Sequence, residues 1–192
     1  MNTLDDTLPE PGTWKLDPPH TFVGFKAQHK VVGAVRGRFD RTSGTVVVAK
    51  DPADSSVEVS IDTASLSTQN AVRDGDVKGP DFLDATPFPA MTYRGKGIRR
   101  GGRGWVMDGT LTIRGVSKVV PLEFTFNGAA PSHAGAPQRF AFHATAAVQR
   151  AAFGMMRELL DEIGEPSTAP DVWIEIDAEA LRDAAASPGT KR

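Results

Sequence analysis

Apolar residues recur at every second position along most of the chain, the signature of strands covered on one face. Between Thr21 and His29, Val23, Phe25 and Ala27 share one side and Gly24, Lys26 and Gln28 the other, with Phe22 as an exception. Val35, Gly37 and Phe39 oppose Arg36 and Arg38, and Thr42–Gly44 then reads as a turn before the uniformly apolar run Thr45–Ala49. Val57, Val59 and Ile61 alternate with Glu58, Ser60 and Asp62. Met91, Tyr93, Gly95 and Gly97 form one row, and Trp105, Met107, Gly109, Leu111 and Ile113 another. The Gly/Arg-rich stretch between them reads as a hairpin loop. Leu122, Phe124 and Phe126 continue the pattern, and Gly128–Pro137 reads as a flexible loop. Phe140, Phe142, Ala144, Ala146 and Val148 form a further row. The last, Val172, Ile174, Ile176 and Ala178, has Trp173 out of place.

Two segments leave the alternation. Asn70 is placed to cap a short helical turn running to Lys78, and Met156, Leu159, Leu160 and Ile163 are spaced as on a helix closed by Gly164. The pattern predicts an all-β fold: about eight mostly antiparallel strands with one or two short helices. Periodicity alone leaves an up-and-down barrel and a sandwich both open, although closure removes exposed sheet edges. The bulky residues of the inward rows are Phe25, Phe39, Met91, Tyr93, Trp105, Met107, Leu111, Phe124, Phe126, Phe140 and Phe142. Ala27, Gly37, Gly95, Gly97, Gly109, Ala144 and Ala146 stand in the same rows. Small beside large leaves a tunnel or lets neighbours pack closely.

At 192 residues the chain is near the size of one domain, about 150 residues. Residues 1–12 and 183–192 read as loose tails around a domain at 13–182. A net charge of −2 supplies no field for nucleic acid or an anionic surface. With no cysteine there is no disulfide, thiolate nucleophile or Cys-ligated metal. The acidic start is unlike a secretory signal and no apolar run is long enough for a membrane-spanning helix, so a cytoplasmic protein without integral membrane insertion is expected.

Little of the sequence points to catalysis. His20 and His29 fall on opposite parities of one strand, while His133 lies in a loop and His143 on a polar face, so no metal centre or cofactor is expected. Neither a serine-hydrolase elbow nor an H-E-x-x-H helix occurs. Gly95-Lys96-Gly97 lacks the strand-to-helix setting of a phosphate loop, and the Arg99–Arg103 cluster reads as a solvated hairpin tip rather than an RNA site. Asp17 and His20 are the one pair that could act as acid and base on a substrate, although a turn-capping Asp is the commoner arrangement.

Several runs occur together and in order. These are Trp14-Lys-Leu-Asp-Pro-Pro-His20-Thr-Phe-Val-Gly-Phe25, Val35-Arg-Gly-Arg-Phe39, Ser43-Gly-Thr-Val46, Asp81-Phe-Leu-Asp-Ala-Thr-Pro-Phe-Pro89, Gly109-Thr-Leu-Thr-Ile-Arg-Gly-Val-Ser-Lys118 and Arg150-Ala-Ala-Phe-Gly-Met155. In this the chain resembles the YceI-like proteins, often called polyisoprenoid-binding proteins. The resemblance implies an extended lipocalin-like antiparallel barrel, commonly a homodimer, that encloses a long isoprenoid or related lipid without catalysing a reaction. The ligand-binding residues expected on this reading are the eleven bulky inward residues named above together with Val148 and Ile174. It also puts His20, Arg38, Asp84 and Arg150 at strand ends or mouths, holding the framework or a ligand head. Many such proteins are exported, whereas this sequence shows no export signal, and its segment 156–170 is unusually acidic. The alternatives are an enzyme acting on such a lipid through Asp17 and His20, or a filled barrel serving as an interaction module.

Overall fold

The computed structural model describes residues 8–29, 33–102, 104–133, 135–155 and 168–183. Its strands are β1 (Gly12–His29), β2 (Ala34–Phe39), β3 (Thr42–Val48), β4 (Ser56–Asp62), β5 (Leu66–Ser67), β6 (Ala90–Lys96), β7 (Arg99–Arg100), β8 (Trp105–Ile113), β9 (Val116–Ala130), β10 (Arg139–Gln149) and β11 (Thr168–Arg182). The strands β1, β3, β4, β6, β8, β9, β10 and β11 pair antiparallel in that order, and β11 returns to β1. The result is a closed eight-stranded lipocalin-like barrel in which β2, β5 and β7 are additions. β2 carries on from β3 along the second half of β1, β5 pairs with β2, and β7 pairs with β8.

The first strand has to switch faces partway. It starts at Gly12, well before Thr21, and Trp14 and Leu16 point inward. Its register against β11 shifts between Leu16↔Ala180 and Thr21↔Ala178, across Asp17-Pro18-Pro19-His20. Neither proline can donate to a ladder, so the chain bulges there and the inward parity changes. Thr21, Val23, Phe25 and Ala27 then face the interior. This leaves Phe22 on the outside, half-exposed over Gly24.

A second change of parity lies between Phe39 and Thr42, so the turn expected at Thr42–Gly44 is instead the short break at Asp40 and Arg41. Gly44 is a strand residue. A Cβ there would run into the Glu58 carbonyl oxygen on β4, so the glycine serves close strand approach. The loop expected from Gly128 begins later, because β9 continues to Ala130, and Gly97 falls outside β6. The helix α1 (Ala71–Lys78) follows Asn70, whose side chain accepts the Arg73 N–H at 3.0 Å. The second expected helix, Met156–Gly164, lies outside the described residues.

The two ends of the barrel differ. Where β1 and β10 begin and β11 finishes, an aromatic plug fills the interior. The Trp14 and Phe140 rings meet edge to face at 4.9 Å, Phe126 meets Phe140 at 5.7 Å, and Phe124 meets Phe126 at 5.7 Å. Leu16, Val48, Ala178 and Ala180 close around them. At the other end α1, Leu83, Phe153 and Met155 pack against the wall without filling the centre.

Candidate ligand cavity

The unfilled part is an apolar cavity of about 340 Å³. Its wall comes from alternate residues of facing strands: Val23, Phe25 and Ala27 of β1, Val57, Val59 and Ile61 of β4, and Val172, Ile174 and Ile176 of β11. Leu66, Val77, Phe82, Leu83 and Met155 close round its far end. Volumes of about 300–1,000 Å³ are usual for small-molecule sites, and a dry cavity of about 150 Å³ already takes up benzene.

Of the residues expected to bind a ligand, Phe25, Phe39, Tyr93, Leu111, Phe142, Val148 and Ile174 line this cavity. Phe124, Phe126 and Phe140 belong to the aromatic plug. Trp105 is buried with the Arg100 guanidinium 4.1 Å from its ring centre, and Met107 and Met91 are buried in the wall. Periodicity identifies the inward face, but it does not give a residue's height along the barrel axis. The small residues also have a specific use. A Cβ at Gly37 would meet the Phe25 ring, at Gly95 the Met107 side chain, and at Gly109 the Tyr93 ring. They house bulky neighbours rather than leave space empty.

Tyr93 shows how tightly this is arranged. Its ring lies over Gly109, its hydroxyl accepts the Gly109 N–H at 3.0 Å, and its O–H faces the Met107 and Val120 carbonyls at 3.0 and 3.1 Å. Burial pushes its pKa up to about 12, against the favourable Gly109 N–H.

Charge reaches the cavity in few places. Among the described lining residues, Arg73 and Asp76 on α1 and Arg150 in a 3₁₀ turn are the charged ones, all at the end away from the plug. Arg73 is held in place: its Nε donates to Thr68 Oγ1 at 2.8 Å and its Nη2 to the Thr68 carbonyl at 2.9 Å. Thr68 in turn donates its N–H and hydroxyl to Asp74 at 2.7 and 2.6 Å, and the hydroxyl bond holds the Asp74 carboxyl below its ordinary pKa.

The other expected polar residues lie elsewhere. His20 Nδ1 is 2.7 Å from Asp17 Oδ2 at the β1 bulge; neither residue lines the cavity and His20 is exposed. His143 is 2.9 Å from Asp177 across β10 and β11. Each imidazole has a second carboxylate nearby, Glu179 and Glu175 respectively, but Glu179 is already paired with Arg139 at 3.0 Å. Arg38 pairs with Asp40 at 2.7 Å, and Asp84 holds a left-handed backbone (φ 49°) in the segment after α1. Residues missing from the expected set include Leu66, Val77, Phe82, Leu83 and Met155. Phe82, Leu83 and Met155 sit within the motifs quoted above, which were the available signal; their short segments have no periodicity to assign a face.

The barrel has close counterparts. The YceI-like domain model matches residues 14–180. Protein YceI of Shigella flexneri is 31% identical over 167 residues, 85% of each chain. The solved Campylobacter jejuni YCEI protein is 27% identical with a TM-score of 0.67, over 81% of this chain and 90% of that one. A polyisoprenoid binding domain from Saccharophagus degradans shares the fold at 15% identity, with a TM-score of 0.64 over 91% of this chain and all of that one. The match spans the bulged first strand, the closing strand and everything between them, and the chain belongs to the YceI-like family.

Proposed function

We propose that this protein binds a long apolar isoprenoid or a related lipid inside its barrel and carries or stores it without chemical change. One observation carries the reading: a continuous apolar cavity with a plugged end and its few charged groups gathered at the other. By comparison with the benzene-sized cavity, about 340 Å³ accommodates roughly two to three isoprene units. At about 0.8 kcal/mol per buried CH₂, each five-carbon unit contributes about 4 kcal/mol before ordering costs. Two units approach micromolar affinity in gross terms, and the remainder of a longer chain leaves through the charged end. The polyisoprenoid-binding neighbour supports the same ligand class. The Asp17–His20 pair gives no support to catalysis on that ligand, because it is on the outer bulge.

Native mass spectrometry of gently purified protein, paired with organic extraction, tests the proposal. A co-purifying or exchangeable isoprenoid lipid is expected. Failure to retain or take up any long-chain lipid, with the fold intact, would refute it.

A further inference from the structure

Among the described residues, four side chains belong at once to the cavity wall and to the packing around the aromatic plug: Leu16, Val59, Phe142 and Ile176. They form the floor of the hollow. Phe142 is the largest of them, and along β10 it marks where bulk stops: Phe140 and Phe142 are followed on the same inward face by Ala144 and Ala146. Its partners on the neighbouring strands are Ala178 of β11 and Phe126 of β9. The Phe142 residue is half-buried, whereas Phe140 next to it is 1% exposed, so Phe142 is the ring of that stack that reaches the cavity.

The floor is rigidly backed. The Phe142 and Phe140 ring centres are 6.1 Å apart, and Phe140 in turn meets the fully buried Trp14 ring at 4.9 Å. Interiors packed in this way resist compression, and pressing Phe142 into the plug would force its neighbours off their rotamers. A chain lying in the cavity with its end toward the plug therefore stops at the Phe142 ring. By volume the hollow beyond that ring takes roughly two to three isoprene units, and the rest of a longer chain stays outside it.

We infer that Phe142 sets the length of chain this protein recognises: the terminal isoprene unit abuts its ring, about three units build the affinity, and further units add little. This rests on the cavity-binding reading and adds to it a ligand length and the residue that determines it.

The test is a series of prenols of ten, fifteen, twenty and twenty-five carbons, one hydroxyl head throughout, followed by displacement of a fluorescent lipid from wild type, Phe142→Ala, Phe142→Leu and Val172→Ala. One buried five-carbon unit is worth about a thousandfold in gross terms, of which at least about tenfold should survive ordering costs. Wild type should therefore bind the fifteen-carbon prenol at least about tenfold more tightly than the ten-carbon one, and the longer two within about threefold of it. Phe142→Ala frees a phenyl-sized space, about one isoprene unit, and should move the break to twenty carbons. Phe142→Leu, which keeps the floor apolar and removes fewer atoms, should give a smaller gain for twenty carbons over fifteen. Val172 lines the cavity two inward positions further from the plug than Ile176, so Val172→Ala should weaken every length and leave the break in place. The same break in wild type and both Phe142 variants would overturn the inference and leave the cavity reading standing. So would a break that Val172→Ala moves as far as Phe142→Ala does. Binding of none of the four prenols by wild type would overturn both.

Discussion

Filling the cavity from its own wall gives a direct measure of what it holds. Ala146 on β10 faces the interior opposite Ile174 of β11, and both line the cavity. Ala146→Phe places a phenyl group there, a volume comparable to the benzene that occupies a cavity of about 150 Å³. That removes nearly half of the 340 Å³ and displaces about one isoprene unit. With five carbons at about 0.8 kcal/mol each, the loss is about 4 kcal/mol, or roughly a thousandfold in Kd. The unliganded variant should melt no lower than wild type, because the ring enters existing space and recovers dispersion contacts, with at most about 1–3 kcal/mol of overpacking to offset. Uptake of a C20 isoprenoid is followed by displacement of a fluorescent lipid, with Val119→Phe on the exposed outer face as the control. Undiminished affinity in a correctly folded Ala146→Phe would mean that the ligand lies outside this cavity, whatever the family resemblance.

Tyr93 is the sole tyrosine, so tyrosinate absorbance reports on it alone: the native protein should titrate near pH 12 and the denatured chain near 10. Since the folded pKa is the higher, its contribution is intact below pH 10 and is lost as pH rises from there toward 12; a native midpoint near 10 would contradict its burial. Gly109→Ala drives a methyl into the Tyr93 ring and should cost about 2–4 kcal/mol in chemical denaturation, combining overpacking with a disturbed hydrogen bond. Asp17→Asn and His20→Ala should leave lipid uptake essentially unchanged, since neither side chain lines the cavity; turnover of a lipid by wild type that both variants lose would revive the catalytic alternative. Asp74→Ala should loosen Arg73 by removing the carboxylate that orients Thr68, seen as faster amide exchange in α1. Acid should act the same way: with its folded pKa lowered, Asp74 contributes above its ordinary pKa and loses that contribution as pH falls through the folded value.

Most strands could be read from alternation because a barrel wall imposes one rule on every residue, inward or outward. The rule fails where the backbone breaks its own period. Pro18 and Pro19 shift the parity of β1, so Trp14 and Leu16 share the interior with Val23 and Phe25 although their numbering disagrees. Phe22 is a true exception to alternation: it lies on the outer face, with its ring over Gly24. Ser43-Gly44 resembles a turn because glycine has two uses, positive φ and close approach, and composition does not distinguish them. The division of the bulky residues into plug and lining was equally hidden. Phe140 and Phe142 are two positions apart on one face, yet Phe140 is packed against Trp14 while Phe142 reaches the cavity. What separates them is the register of β10 against β11 and β9, a long-range property absent from any local window.

The division also bears on what an empty cavity would cost. Leaving apolar volume empty costs about 24 cal/mol per Å³ in core-truncation series, so 340 Å³ corresponds to about 8 kcal/mol. That is as large as the whole net stability of an ordinary domain, about 5–15 kcal/mol. A barrel closed by β1 and β11, with Trp14, Phe126 and Phe140 interlocked at one end, can sustain such a hollow where a loosely packed one would collapse. An apolar guest then supplies contacts that the wall lacks, and its binding free energy adds to folding stability by linkage. The plug thus performs two tasks with the same atoms: it keeps the walls apart, and among the described residues it closes the end of the cavity opposite Arg73 and Arg150.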